Sequence, residues 1–319
     1  MMRALVRDKY GRPDVIRVED LEPPPLEDDR VLVRVRASSI NKADWYQLIG
    51  EPRLFRAMMG GIFKPRSRQI GTDFAGVVEA VGKDVAGVAV GDEVFGGRDG
   101  AYAEYVSAKS FARKPPNVSF EAAGAVPIAG LTALQALRDH AGLSEGERVL
   151  VNGASGGVGT MTVQIAKALG AHVTAVCSTR NVEQTRALGA DRVFDYTRED
   201  FTRTGDRYDV VIDVAGSRSW RELRRVFAPG ARTVIVGAPG GTPVIGPLGH
   251  IVGKKLASRG NARFFVAKFN SPDLETLADL LESGALTPVI DRTYDLDEAQ
   301  DALRTFGEGH VRGKLVLTM

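Results

Sequence analysis

The sequence contains one cysteine, Cys177, among 319 residues. A lone thiol forms neither an intramolecular disulfide nor a thiolate-rich metal site, so we expect a reducing compartment, the cytoplasm. Long apolar runs are also missing: the uncharged stretches Ala122 to Leu137 and Ala238 to Gly253 are too short for a membrane span and contain Pro and Gly. The first residues lack the apolar core of a signal peptide. We therefore expect no membrane association.

A charge excess of either sign is absent as well. The chain has 42 basic and 40 acidic residues, which gives a net charge of +2. A dedicated nucleic-acid binder would show a basic surplus, so nucleic acid is not an expected partner. With 44% hydrophobic and 26% charged residues, the composition is that of a folded protein, and the length allows two domains. We expect an enzyme-sized protein that acts on a small molecule.

The first part of the chain, to about Ser119, has short β-type runs separated by Gly and Pro, which predict a small, mostly antiparallel β domain. In the tail we predict helices at Asp273 to Ser283 and Leu296 to Thr305, and a closing strand at Lys314 to Thr318. That strand has no partner in the middle of the chain, so we expect it to rejoin the N-terminal domain. The N-terminal runs are Arg3 to Arg7, Val31 to Ala37, Phe74 to Val81, Glu93 to Phe95 and Tyr102 to Val106.

From about Glu121 to Asn261, β-branched runs alternate with helical patterns. This alternation is typical of a parallel sheet wound with helices, so the predicted fold class is α/β. The predicted strands are Val149 to Val151, His172 to Cys177, Arg192 to Phe194, Asp209 to Val214 and Arg232 to Val236. The clearest predicted helices are Thr160 to Leu169, Asn181 to Leu188 and Trp220 to Phe227.

A glycine cluster, NGASGGVGTM from Asn152 to Met161, lies between the first of these strands and a helix. A glycine-rich turn that opens a helix presents backbone N–H groups and the positive helix end to a pyrophosphate. Gly156 and Gly159 occupy the last two positions of the dinucleotide fingerprint, while Ala154 replaces its first glycine. A tight turn without a ligand is the alternative interpretation, but the flanking strand, helix and next strand favour dinucleotide binding.

The loop resembles that of the zinc-free quinone oxidoreductases in the medium-chain dehydrogenase/reductase superfamily, a branch that commonly carries Ala at the position of Ala154. The resemblance is carried by five segments, which are in chain order Ser39 to Asp44, Gly71 to Gly82, Gly91 to Val94, Ala129 to Ala133, and Gly153 to Gly159 with Gln164 and Ala166.

The resemblance implies a GroES-like, mostly antiparallel β-barrel catalytic domain from residues 1–122 and 258–319, and a Rossmann nucleotide-binding domain from 123–257. It also implies an active-site cleft and a homodimer joined through an edge strand of the Rossmann sheet. The segment Ile49 to Arg68 is expected at the substrate entrance.

Zinc alcohol dehydrogenases of this superfamily need Cys, His and acidic ligands, because zinc sites are built from thiolate and imidazole groups. Here Cys177 lies on the predicted second Rossmann strand, and Gly71-Thr72-Asp73 stands where the zinc enzymes have Gly-His-Glu. The histidines are scattered along the chain as His140, His172, His250 and His310. We therefore predict no metal site.

NAD-specific sites place an acid about 20 residues beyond the glycine loop, whereas NADP sites have neutral or basic groups there. This chain has Ser178, which can hydrogen-bond a 2′-phosphate, and Arg180, which can pair with it bidentately. Tyr196 matches a family position near the adenosine phosphate. The sequence favours NADPH, although Arg180 could also be a solvated residue at a helix start.

The resemblance places Asn41 and Asp44 where the family orients the nicotinamide ribose and substrate; the alternative is ordinary turn chemistry. Tyr46 is the candidate proton donor near them. Phe264 and Phe265 would close the cleft or simply pack in a core. The remaining residues of the expected cofactor site are Thr132 near the nicotinamide, Gly237 and Val214 after the strands, and Ala154, Ser155, Gly156, Gly157 and Val158 in the loop.

The function expected from these residues is NADPH-dependent hydride transfer, without zinc, to quinones or α,β-unsaturated carbonyls. A quinone or enone delocalises the charge that arrives with hydride, so no metal is needed to stabilise an alkoxide. Two alternatives stay open. One is an NADPH-binding sensor or partner subunit with little turnover, and the other is an enoyl-thioester reductase, which would need Tyr46 as its donor.

Overall fold

The computed structural model describes residues 1–53, 56, 61–237, 247–258 and 261–319. Its strands are β1 Met2–Arg7, β2 Ile16–Leu21, β3 Val31–Ser39, β4 Asp73–Val81, β5 Glu93–Gly97, β6 Tyr105–Ala108, β7 Phe111–Arg113, β8 Arg148–Asn152, β9 His172–Cys177, β10 Arg192–Asp195, β11 Tyr208–Asp213, β12 Phe227–Ile235, β13 Ala262–Phe264, β14 Ile290–Asp295 and β15 Lys314–Thr318. Its α-helices are α1 Lys42–Ile49, α2 Phe120–Gly124, α3 Pro127–Gln135, α4 Gly157–Ala168, α5 Val182–Ala187, α6 Trp220–Leu223, α7 Pro247–Ala257, α8 Ser271–Glu282 and α9 Ala299–Gly307.

The first of two structural units comprises Met1–Leu131, Lys268–Gly284 and Pro288–Met319. Its main sheet has the order β14-β15-β3-β4-β5-β7, with β6 also paired to β3, and β1 and β2 form a separate pair. Neighbours are antiparallel except for the parallel pair of β14 and β15. Because β15 pairs with β3, the prediction that the closing strand rejoins the N-terminal part is confirmed.

Strand β3 illustrates why these residues form a half-buried sheet. Val31, Val33 and Val35 are at most 2% exposed, while Arg34 and Arg36, on the other face of the strand, are exposed to solvent. Side chains alternate between the two faces of a strand, so this period of two places the valines in the core and the arginines outside. The valines pack with Phe74 in one hydrophobic cluster.

The second unit comprises Thr132–Ala267 and Ala285–Thr287. Its six-stranded sheet has the order β10-β9-β8-β11-β12-β13, and all neighbouring pairs are parallel. If the six strands are numbered along the chain, their order across the sheet is 3-2-1-4-5-6, which is the doubly wound dinucleotide-binding arrangement. The predicted α/β class, with one parallel-sheet domain and one mostly antiparallel domain, is confirmed.

Strands β8 and β9 are buried almost throughout, as expected of a parallel sheet covered on both faces. Their core includes Leu150 and Val176 with Phe194 and Val211. Within the part of the chain that the structure describes, no helix has both the length and the apolar character needed to cross a membrane.

Several predicted element boundaries are wrong. The strand expected at Tyr102 to Val106 begins only at Tyr105, because the backbone N–H of Tyr102 pairs with the Ile70 carbonyl outside the ladder. The helix expected at Trp220 to Phe227 is α6 followed by a 3₁₀ turn, since Phe227 already pairs with Tyr208 in the sheet. The helix expected at Leu296 to Thr305 likewise starts with a 3₁₀ turn.

Candidate functional site

The glycine loop follows β8 and ends at Gly156, the N-cap of α4. No side chain caps the helix, so the N–H groups of its first turn, Gly157 to Gly159, have neither a side-chain cap nor an intrahelical acceptor. Ser155, Gly156, Gly157 and Val158 are partly exposed. The predicted loop residues therefore present a positively polarised, accessible helix end, which suits a pyrophosphate.

The conformation of the loop explains why Ala154 is tolerated. The left-handed backbone falls on Gly153, with φ of +96°, and the Ala154 side chain is fully buried. The turn thus has its necessary glycine one position before Ala154. A Cβ on Gly159 would lie 2.0 Å from the Gly153 carbonyl oxygen, so this glycine permits close packing of helix on loop. A Cβ on Gly156 would meet no described atom within 4 Å, which leaves a cradle beside the helix end.

The region after β9 contains the residues expected to choose the cofactor. Ser178 is partly buried and its Oγ accepts a hydrogen bond from Asn181 Nδ2 at 3.1 Å. Arg180 is exposed in the 3₁₀ turn Thr179–Asn181, and Tyr196, after β10, is 56% exposed. Asp195, at the end of the neighbouring strand β10, accepts hydrogen bonds from Thr179 and Thr197. This arrangement leaves no acid directly after β9.

Val214 and Gly237 follow β11 and β12 at the same edge of the sheet. A Cβ on Gly237 would lie 2.2 Å from the Val214 carbonyl oxygen, and the backbone N–H of Val214 donates to the carbonyl of Asn152. Asn152 immediately precedes the glycine loop. The structure therefore brings Val214 and Gly237 together beside the loop, as the expected site requires.

The other expected cofactor residues lie apart from this group along the chain. Thr132 is partly exposed on α3. Phe264 ends the edge strand β13 and is 39% exposed. Phe265 stacks on the ring of His140, with ring centroids 4.1 Å apart. The Phe265 ring therefore has a packing partner, which agrees with the alternative that the two phenylalanines simply pack in a core.

Asp213 was not singled out by the sequence, yet it is a fully buried polar centre beside the loop. Its carboxylate accepts from Asn152 Nδ2 at 2.7 Å, from the Gly216 backbone N–H at 3.0 Å and from Lys254 Nζ at 2.6 Å. The available signal was an acid at the end of an apolar strand, since a buried carboxylate needs a partner.

In the other unit, Asp73 begins β4 and is fully buried. Its Oδ2 accepts from Ser39 Oγ at 2.7 Å and from Asn41 Nδ2 at 2.8 Å, and its Oδ1 accepts from the Ile128 N–H at 2.9 Å. Lys314 Nζ lies 3.6 Å from Oδ2. Lys314 was not predicted as a site residue, although a lysine at the start of an otherwise apolar strand indicates a buried ion pair.

Asn41 is 7% exposed and its side-chain amide is fully occupied. The amide nitrogen donates to Asp73 and, at 3.2 Å, to the Ser39 carbonyl, while the amide oxygen accepts from Lys314. All its hydrogen-bonding groups therefore point into the protein.

Asp44 lies in the first turn of α1 and is fully buried. It accepts from the Asn41 N–H at 2.9 Å, from Thr72 Oγ1 at 2.6 Å and from the Tyr102 hydroxyl at 3.0 Å. Burial, together with the charge of Asp73, raises the pKa of Asp44 to about 6, although these hydrogen bonds oppose the rise. Thr72 and Asp73, which replace the zinc-enzyme segment, are both engaged in this polar cluster.

Tyr46 lies two residues further along α1 and is partly buried, with Lys42 Nζ 5.4 Å from its ring centroid. Burial raises the pKa of its phenol, so the hydroxyl keeps its proton at neutral pH. Tyr46 also lines a cavity of about 170 Å³. Among the described residues, no three or more His, Cys, Asp or Glu side chains are grouped to hold a metal ion.

A doubly wound sheet with a glycine loop, joined in one chain to an antiparallel β unit, defines a nucleotide-dependent oxidoreductase architecture. Residues 27–115 match the alcohol dehydrogenase GroES-like domain family, and residues 188–317 match the zinc-binding dehydrogenase family. The chain belongs to the medium-chain dehydrogenase/reductase superfamily and has quinone oxidoreductase-like homologues.

Relatives and solved structures match over nearly the full length. The chain is 34% identical to 2-methylene-furan-3-one reductase of Solanum lycopersicum, over 99% of this chain and 79% of that protein. The quinone oxidoreductase of Coxiella burnetii matches with a TM-score of 0.86 and 31% identity, covering 100% and 99% of the two chains. The Escherichia coli quinone oxidoreductase complexed with NADPH matches with a TM-score of 0.82 and 25% identity over 100% of both.

Proposed function

We propose that this protein is a reductase that transfers hydride from NADPH to quinones or α,β-unsaturated carbonyls without zinc. The observation that carries the proposal is the open helix end at Gly156, in a superfamily whose members include an NADPH complex of a quinone oxidoreductase. Tomato 2-methylene-furan-3-one reductase adds support for a conjugated acceptor.

The loop residues Ala154, Ser155, Gly156, Gly157 and Val158 would hold the pyrophosphate. Gly156 fits this role because a side chain there would fill the cradle beside the helix end. Ser178 and Arg180 would take the 2′-phosphate, with Tyr196 beside it, and Val214, Gly237 and Thr132 would complete the cofactor site. NADPH supplies hydride when bound.

The geometry of the polar cluster supports a change in the roles of the three candidate catalytic residues. Both amide hydrogens of Asn41 and both oxygens of Asp44 are engaged inside the protein. We assign them positioning roles: Asp44 fixes the start of α1, and α1 carries Tyr46. Tyr46 lines the cavity of about 170 Å³, and we assign it the donation of a hydrogen bond or proton to the acceptor oxygen, since its phenol is protonated at neutral pH.

The proposed chemistry uses no Lewis acid, so the acceptor must be a quinone or an α,β-unsaturated carbonyl. Hydride delivered to a quinone or enone places charge on a carbonyl oxygen, which one hydrogen-bond donor can stabilise. A saturated ketone would instead form an unsupported alkoxide in a dry site. Enoyl-thioester reduction is a second candidate, favoured by the neutral phenol of Tyr46, because saturation of an enoyl group also needs a proton donor.

The assay that tests the proposal follows NADPH oxidation with an ortho-quinone, an enone and the matching saturated ketone. We expect turnover of the first two and almost none of the ketone. Faster reduction of the ketone would contradict the mechanism, and tight NADPH binding without any turnover would favour a sensor or partner subunit. Tyr46→Phe should lower kcat for the enone by about 100-fold or more, on the scale of general acid catalysis.

Assembly and location are part of the proposal. The edge strand β13 and the segment after it expose Phe264, 39%, and Val266, 76%, which supports a homodimer formed through that edge. The buried single thiol of Cys177 supports a cytoplasmic location. Light scattering during size-exclusion chromatography tests the dimer, and a monomer at micromolar concentration would contradict it.

A further inference from the structure

Arg7, on β1, is a charged side chain that is only 5% exposed. Its Nη1 donates to the Gln47 carbonyl near the end of α1, but its Nε is buried without a hydrogen-bond partner among the described residues. A guanidinium has five N–H donors, and the fold leaves the Nε–H of Arg7 unpaired. Burial lowers the pKa of Arg7 to about 10.

The charge of Arg7 also lacks a counter-ion among the described residues. Within the described ranges, no carboxylate lies within ion-pair distance of it, whereas Arg68, near the same strand, pairs with both Asp8 and Glu19. An uncompensated buried charge destabilises a fold. The fold accepts this cost at Arg7, and a bound anion would remove it.

Arg7 lines the cavity of about 170 Å³ that Tyr46 also lines. The charged residues of its wall are Arg7, Arg56, Arg66 and Asp99, three cations against one anion. Arg66 is exposed, and Arg56 Nε donates to the Gly50 carbonyl at 2.7 Å. The cavity therefore has a net positive wall with one deeply buried cation.

Aromatic rings form the other distinctive part of the wall. The guanidinium carbons of Arg7 and Arg56 lie 5.4 Å and 4.6 Å from the ring centroid of Tyr10, and the Tyr10 hydroxyl donates to the Gly61 carbonyl. Tyr10 is thereby fixed beside the cations. Flat rings next to guanidinium groups suit a flat, conjugated molecule that carries a negative charge.

We propose that this cavity is an anion subsite and that the acceptors of this enzyme are conjugated carbonyl compounds bearing a carboxylate, held by Arg7. The inference rests on the proposed function in one respect, the use of Tyr46 as donor in the same cavity. Arg7 is then a specificity-determining residue, because it would hold the carboxylate end of the acceptor in the cavity that Tyr46 lines.

The test compares a carboxylate-bearing quinone with its methyl ester, using NADPH and constant ionic strength. Wild-type protein should prefer the carboxylate about tenfold or more in kcat/KM, the scale of one charge-assisted hydrogen bond. In Arg7→Met, which removes the charge and keeps the length, the ratio should fall close to one. Arg34→Met, at an exposed position on β3, is the matched control and should keep the wild-type ratio.

A binding measurement separates this inference from the proposed function. Benzoate titrated into the protein without NADPH should bind wild type and Arg34→Met, and not Arg7→Met. Benzoate binding that depends on Arg7, with no acceptor reduced, would keep the subsite and overturn the reductase. The subsite would be overturned if wild type reduced the quinone ester with a carboxylate-to-ester kcat/KM ratio near one. It would also be overturned if Arg7→Met kept the preference for the carboxylate. The ratio of the wild-type protein is decisive even if the variant does not fold.

Discussion

Lys254 Nζ lies 2.6 Å from Asp213 Oδ2, and the two side chains are 8% and 0% exposed. Lys254 also donates to the Gly216 carbonyl at 3.0 Å, and Asn152 Nδ2 donates to Asp213 Oδ1. The ion pair thus ties α7 to the carboxyl end of β11, and Asn152 ties β11 to the strand that leads into the glycine loop. Helix, strand and loop are held by one buried carboxylate.

Removing the cation should leave that carboxylate buried and unpaired. Lys254→Met is expected to lower the free energy of unfolding by about 3–5 kcal/mol, measured from urea denaturation. The exposed pair of Lys83 and Asp28, with side chains 71% and 65% exposed, is the control. Lys83→Met should cost at most about 1 kcal/mol, so equal losses in the two variants would contradict the role given to the buried pair.

The raised pKa of Asp44 makes stability depend on pH. The folded-state pKa of Asp44, about 6, is above its ordinary value of 3.8, so protonation of Asp44 favours the folded state. This stabilisation is fully present below pH 3.8 and is lost as the pH rises through 6. The stability of wild type relative to Asp44→Asn should therefore fall by up to about 3 kcal/mol between pH 4 and pH 7. Denaturation of both proteins across this range measures it, and a constant difference would show that Asp44 titrates normally.

Local patterns were sufficient to predict most of the fold, because they depend on neighbours in sequence. The alternation of β3 and the apolar runs of β8 and β9 follow directly from which faces are buried. Helix α1 escaped prediction since its buried residues are Asp44 and Leu48, which give no apolar stripe. β13 has three residues, too few for a periodic signal.

The polar clusters could not be predicted in the same way. Asn41 and Lys314, which share a hydrogen bond, are 273 residues apart in sequence. Only the pairing of β15 with β3 brings them together, and no short-range pattern encodes that pairing. The glycine loop was predictable because all its parts are contiguous. Its substitution at Ala154 became explicable only when the structure placed the left-handed residue at Gly153.

Cofactor choice can be tested at Arg180, which is exposed after β9. Arg180→Glu should weaken NADPH binding by roughly 1.5–3 kcal/mol, the scale of a charge-assisted hydrogen bond, and leave NADH nearly unaffected. Arg186→Glu, an exposed change of the same charge on α5, controls for the overall field. Fluorescence titration with both nucleotides measures the two affinities. An equal loss of affinity for NADPH and NADH would contradict the assignment of Arg180 to the 2′-phosphate.

Metal content follows from the contacts of Thr72 and Asp73, which stand in the segment where zinc enzymes carry ligands. Thr72 donates to Asp44, and the Asp73 carboxylate already accepts three hydrogen bonds. We expect elemental analysis to find substoichiometric zinc, and chelation to leave quinone reduction unchanged. Stoichiometric zinc whose removal abolishes activity would contradict the zinc-free mechanism.

Two glycines of the loop should fail in different ways when a methyl group is added. Gly156 has φ of −85°, which alanine adopts freely, and its Cβ would meet no described atom within 4 Å, so Gly156→Ala should change stability by less than about 0.5 kcal/mol. That methyl would nevertheless occupy the cradle at the helix end, and NADPH affinity should fall about tenfold or more, since a displaced phosphate loses charge-assisted hydrogen bonds.

Gly159→Ala would place its Cβ 2.0 Å from the Gly153 carbonyl oxygen and should lower stability by about 1–3 kcal/mol even without nucleotide. Urea denaturation and NADPH titration of both variants separate the two effects. Wild-type NADPH affinity in Gly156→Ala would show that the pyrophosphate does not lie against this loop.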